Sequence, residues 1–141
     1  MMKINYMHGC EIEYDEEKTC KWYSVAEEWG CDCVHCLNFL KLARNNSLPE
    51  IVLENLAFFG IPAGKATHVS YLGDIAPGQL FYQFSYRIAG NIISDENDPH
   101  YHGEVRFCHD DYPYGAPDFP QPHFDIEFNV SLPWVMDSSA E

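Results

Sequence analysis

The stretch His123-Phe124-Asp125-Ile126-Glu127-Phe128-Asn129-Val130-Ser131-Leu132 alternates polar and apolar residues without a break. Successive side chains of an extended strand point to opposite faces, so this period of two marks a strand, the plainest in the chain. Upstream, Leu80, Tyr82, Phe84, Tyr86 and Ile88 alternate with Phe81, Gln83, Ser85 and Arg87 in the same way. Gly90 and the turn-forming run Ser94-Asp95-Glu96-Asn97-Asp98-Pro99 are expected to close that second strand. Further strands are expected over 66–72 and 100–108, the latter with Val105 and Phe107 facing inward. Residues 4–23 read as two or three short strands, because Ile12 and Tyr14 alternate with Glu11, Glu13 and Asp15. Asp15-Glu16-Glu17-Lys18 reads as the polar turn of a hairpin, which would set Cys20 across from Glu13 and Cys10 across from Tyr23.

Helical spacing is confined to the middle of the chain. Cys33, Cys36, Leu37 and Leu40 recur at helical intervals up to Asn45-Asn46, predicting a helix over 33–45. Ser47-Leu48-Pro49-Glu50 has the form of a capping box with proline in the first turn. Val52, Leu56 and Phe59 make an apolar stripe, and Gly60 with Pro62 stops it, so a second helix is expected over 48–59. Strands flanking two consecutive helices imply an α+β fold. It is expected as a mostly antiparallel sheet of about five to seven strands with both helices on one face. A two-sheet sandwich with the helical pair at one edge is the alternative. Residues 1–136 are expected to form one globular domain, with 137–141 a flexible tail.

The chain of 141 residues is 46% hydrophobic and 15% aromatic, enough for a packed core, which argues against disorder. Its 22 Asp and Glu against 8 Lys and Arg give a formal net charge of -14. Few cations are available to displace counterions from a nucleic-acid backbone or to meet an anionic membrane, so neither is an expected partner. A protein partner, met through the acidic surface and the Pro-, Tyr- and Asp-rich segment 109–122, fits the charge; a connection of that length without secondary structure is often functional. Tyr112, Tyr114, Phe119 and Trp134 either build that recognition surface or pack the loop onto the sheet. The N-terminus lacks the sustained apolar stretch of a secretory signal and no segment has the length of a membrane span. A cytoplasmic location is therefore expected, and with it 6 cysteines that serve as thiols, metal ligands or redox groups in place of disulfides.

The sharpest chemical feature is Cys31-Asp32-Cys33-Val34-His35-Cys36. Three soft ligands within six residues can converge on one ion, and zinc accepts tetrahedral sulfur and nitrogen ligands without redox demand. The start of a helix favours thiolates, through its positive end. A closed site needs a fourth ligand, for which Cys20, Cys10, Cys108 and His35 are candidates, with His8 and His109 behind them. Two other readings compete: small buried thiols packing a helix start, and a redox pair at Cys33 and Cys36 in the thioredoxin-type arrangement.

Cys31-Asp32-Cys33-Val34-His35-Cys36-Leu37-Asn38-Phe39, together with the ending Leu132-Pro133-Trp134-Val135, resembles an uncharacterised family of small bacterial proteins with a Cys-x-Cys-x-x-Cys-x-Asn-Phe signature and a Pro-Trp-Val-like C-terminal segment. The resemblance implies a bacterial, cytoplasmic protein and brings no activity, substrate or catalytic residue.

A second group of potential ligands lies on the strands. His100, His102 and Glu104 alternate along one, and His123, Asp125 and Glu127 along another, so neighbouring strands could gather them around a divalent ion. The competing view is the solvated face of half-buried strands. No P-loop, Gly-x-Gly-x-x-Gly, Gly-x-Ser-x-Gly or His-Glu-x-x-His motif occurs. The leading expectation is a non-enzymatic binding protein with a zinc-thiolate site at Cys31, Cys33 and Cys36. The alternative is an enzyme, either thiol-redox at Cys33 and Cys36 or metal-dependent at the His100, His102, Glu104 and His123, Asp125 strands.

Overall fold

The computed structural model describes residues 2–98, 100, 103–109 and 115–136. Its elements follow the order β1 (Met2–Met7), β2 (Cys10–Asp15), α1 (Glu16–Val25), α2 (Val34–Arg44), α3 (Glu50–Phe59), β3 (His68–Ala76), β4 (Gln79–Asp95), β5 (Val105–Cys108) and β6 (His123–Pro133). The six strands make one antiparallel sheet in the order β1-β2-β4-β6-β5, with β3 paired to β4 off that path. The fold is α+β.

β4 organises the sheet. On one side it pairs with β6 from Gln79↔Pro133 to Ala89↔His123. On the other side β3 covers residues 79–85 and β2 covers 90–95. The strand therefore runs through Gly90, where the sequence predicted a stop. Gly90 has φ of +142°, and a Cβ there would sit 2.0 Å from the Glu13 carbonyl oxygen. Glycine at this position lets β2 approach, so it joins strand segments and does not end one.

The turn predicted over 15–18 and the strand over 19–23 that would complete a hairpin are replaced by α1. Asp15 is its N-cap, its side chain accepting from the Lys18 N–H at 2.9 Å, and Glu16 and Glu17 place negative charge at the positive end of the helix. Cys20 is thus helical and does not face Glu13, and Cys10 pairs with Met7 and Asp95, not Tyr23. Helix α1 fills the gap on the β4 edge between β3 and β2. There the Tyr23 hydroxyl donates to the Arg87 carbonyl at 2.7 Å and the Thr19 hydroxyl accepts from the Ala89 N–H at 3.1 Å. These side chains supply what a missing strand would have supplied to a buried backbone.

Helices α2 and α3 cover the apolar face of the sheet. Phe39 packs on Phe84 at 4.9 Å between centroids, and Phe59 packs on Tyr14 and Phe107. The capping box does not form: Pro49 is the N-cap of α3, and the Ser47 hydroxyl turns back to the Asn45 carbonyl. Gly60 does end the helix, in the left-handed conformation at φ +72°. Val105, Phe107 and the alternating apolar residues of β4 and β6 are buried as the sequence predicts.

The opposite face of β4 and β6 is buried at its centre, at Ser85, Arg87, Asp125, Glu127 and Asn129, where the alternation suggests a solvated face. Asp125 and Glu127 are 0% and 1% exposed. Arg87 pairs with Asp125 at 3.1 Å, and Arg106 with Glu127 at 2.8 Å, while Asn129 links Glu127 to Gln83. Buried charges persist where they are paired and hydrogen-bonded, and these are. Among the described residues no helix is long and apolar enough to cross a membrane.

Candidate metal centre

Cys31 and Cys33 precede α2 and Cys36 lies in its first turn. Cys33 is the N-cap, extended at φ -66° and ψ 158°, and its carbonyl accepts the Leu37 N–H at 2.9 Å. This geometry folds the chain so that the three Sγ atoms lie within 4.8 Å of one another. Cys31 and Cys33 are exposed, and Cys36 is 7% exposed. Such an arrangement can hold a metal ion, and its outer side faces solvent.

The three sulfurs differ in character. Burial raises the Cys33 pKa, but the Cys36 backbone N–H, the Cys31 and Cys36 thiols and the His35 backbone N–H outweigh it, leaving it below the usual thiol value. Cys36 is pushed up to about 12, first by burial and then by its thiol neighbours, against the Trp29 indole N–H that donates to its sulfur at 3.1 Å. A cation among the three would bring Cys36 to the thiolate form as well, because metal ligation deprotonates a thiol outright.

The helix carrying the cluster is clamped from behind. Asn38 is fully buried; its amide donates to the Pro133 carbonyl at 3.1 Å and its oxygen accepts the Val135 N–H at 2.8 Å. The Tyr82 hydroxyl donates to the His35 carbonyl at 2.7 Å. Thus the Asn-Phe part of the cysteine segment and the Pro-Trp-Val ending, which are far apart in sequence, meet in space. Sequence reasoning missed the roles of Trp29 and Asn38. Asn38 carried a signal, as a fully buried amide inside a helix must find partners.

The candidate fourth ligands sit elsewhere. Cys10 is fully buried near Asn97, with its pKa raised to about 11, chiefly by burial. The Cys20 thiol points at the Phe59 and Gly60 carbonyls, at 3.7 and 3.8 Å, and burial raises its pKa. Cys108 lies 3.8 Å from a Glu127 oxygen. His35 stacks on Tyr71 at 3.8 Å between ring centroids. His8 meets Asn55, and His109 lines a cavity of about 470 Å³ with Arg87, Asn91, Gln121, Pro122 and His123. None of them joins the three sulfurs within the 4.8 Å span.

The strand group does not assemble as expected. His100 and Glu104 precede β5 and are not part of it, and His102 lies outside the described residues. His123 and Asp125 are on β6, but Asp125 is engaged with Arg87. Among the described residues, only Cys31, Cys33 and Cys36 gather as a group able to hold a metal. Of the aromatic residues of the long loop, Phe119 is buried against Trp22 and Tyr23, and Tyr112 and Tyr114 lie outside the described residues. No family model, curated protein or solved structure matches this chain.

Proposed function

We infer that this chain is a non-enzymatic interaction protein in which Cys31, Cys33 and Cys36 hold a zinc ion at the start of α2. The observation that carries the reading is the convergence of three sulfurs within 4.8 Å on a clamped helix start. Three thiolates leave one tetrahedral position, and with Cys31 and Cys33 exposed it opens outward, to water or to a ligand from a partner. The Cys36 thiolate is served by the Trp29 N–H. The protein surroundings thus favour a fixed, soft-ligand site in a strongly acidic chain. The family resemblance in the same two segments fits this, since Asn38 ties the segments together around the sulfurs.

Elemental analysis of the purified protein tests it. One equivalent of zinc is expected, lost in a Cys31→Ser, Cys33→Ser, Cys36→Ser variant that still folds. Cobalt substitution should give the intense near-ultraviolet thiolate charge-transfer band. A folded wild-type protein that takes up neither metal overturns the reading. A second reading has one observation in its favour: Cys33 is exposed, has a lowered pKa and sits beside the buried Cys36, as a redox pair requires. Under that reading the protein cycles between dithiol and disulfide in a defined redox buffer while taking up no stoichiometric metal.

A further inference from the structure

An open cleft of about 600 Å³ lies between the C-terminal end of α1 with the following turn and the segment 115–118. That volume lies within the range of ordinary ligand sites. Its walls include Trp22 and Trp29, both half-buried, and Glu27, Glu28 and Asp118. Among the described residues no lysine or arginine lines it.

The indole N–H groups are already used inside the protein. Trp22 donates to the Pro117 carbonyl at 3.0 Å, and Trp29 to the Cys36 sulfur at 3.1 Å. Neither indole therefore has an N–H left to offer a ligand, which leaves their π-systems as the recognition element. Both are also held in place: Trp22 packs on Phe119 at 4.9 Å between centroids, and the Trp29 backbone N–H bonds to the Gly64 carbonyl at 3.1 Å.

The charged residues that line the cleft are all carboxylates. Glu28 is paired with Arg44 at 2.7 Å, but Glu27 and Asp118 are exposed at the mouth. Helix α1 ends at the cleft with no basic residue in its last turn, and the cation at that end comes from outside the helix. Lys65 donates to the Tyr23 carbonyl at 2.7 Å, so its charge is spent on that helix end and is not at the mouth of the cleft. Asp118 holds a left-handed backbone at φ +59°, which aspartate and asparagine tolerate. Aromatic faces and exposed carboxylates together suit an organic cation. A guanidinium is the best match, since it stacks flat on indoles, is weakly hydrated and forks to carboxylates. The formal net charge of -14 draws the same kind of partner from a distance.

We propose that the cleft between Trp22, Trp29, Glu27 and Asp118 is the docking site for an arginine side chain of a basic protein partner. This deepens the interaction half of the function inferred above and does not require the metal; the peptide titration and the zinc assay therefore fail independently.

The test titrates the full-length protein with the peptide acetyl-Gly-Arg-Gly-Arg-Gly-amide at physiological ionic strength, reading tryptophan fluorescence. Saturable binding is expected, about fivefold or more tighter than for the lysine counterpart. The double variant Glu27→Gln, Asp118→Asn should weaken it about tenfold. Asparagine tolerates the left-handed backbone, so that variant keeps the fold, which its thermal midpoint checks. Glu50→Gln with Glu54→Gln removes the same charge on α3, and should leave the affinity within about twofold. Equal weakening by both double variants, equal affinity for the lysine peptide, absence of saturation, or tighter binding of tetramethylammonium than of the arginine peptide each overturns the proposal.

Discussion

Two residues of the same type, three positions apart, are set on opposite chemical courses by their surroundings. Cys33 is exposed at the N-cap of α2 with its pKa lowered, whereas Cys36 is buried and pushed up to about 12. In the metal-free protein at pH 8, iodoacetamide should modify Cys33 well before Cys36, and Cys10, buried with a pKa raised to about 11, should rank with the slowest. Peptide mapping by mass spectrometry over a time course reads the order; Cys36 reacting first would mean that the helix start opens in solution. Excess zinc should protect all three cluster residues together while leaving Cys20 unchanged. Gly90 shows the same dependence on surroundings through sterics. Its φ of +142° and the 2.0 Å separation between a built Cβ and the Glu13 carbonyl leave alanine no relaxed position. Gly90→Ala should destabilise the fold by about 3 kcal/mol, measured by urea denaturation, because β2 must move off the β4 edge. The sequence showed this glycine but not its task. A glycine between alternating residues reads equally as a terminator or as a close approach, and only the neighbouring strand decides.

At the level of elements, periodicity served well where one face alone is apolar and poorly where partners came from elsewhere in the chain. The β4 and β6 strands, the α2 and α3 helices and the Gly60 stop were all legible, since each carries a long apolar repeat or a terminator of its own. Helix α1 was not: only Thr19 and Tyr23 are buried in it, too few to show a helical stripe. Its start was nevertheless written in the sequence, as Asp15 followed by Glu16 and Glu17 at the positive end of a helix. What holds α1 in place is its service to the β4 edge. Tyr23→Phe should therefore cost about 2 kcal/mol in a urea melt, because the Arg87 carbonyl loses the donor that reaches it from α1. A change under about 0.5 kcal/mol would show that another group takes over that carbonyl. The polar face of β6 was misread for a related reason. Asp125 and Glu127 look solvent-facing in an alternating strand, and nothing local announces that Arg87 and Arg106, from other strands, will bury beside them.

For the whole molecule, the location of the thiols decides how much of the fold a metal can support. Cys31, Cys33 and Cys36 close a loop of six residues at one helix end. The core that sets global stability draws on β2, all three helices and β3 to β6. A cross-link within so short a segment removes little entropy from the unfolded chain, so zinc acts here mainly by mass action on the folded state. At a free zinc concentration a hundredfold above Kd that action adds about 2.7 kcal/mol, which for a chain of this size is roughly 10 °C in Tm. Chelation should therefore lower the midpoint by about that amount and leave a cooperative transition with native far-ultraviolet circular dichroism. Hydrogen exchange should quicken around residues 29–40 and stay slow across β4 and β6. The Asn38 clamp limits even the local loss, because its bonds to Pro133 and Val135 hold the second turn of α2 without any metal. Collapse of the whole fold on chelation would require ligands drawn from distant elements, as in domains where metal binding and folding are one event.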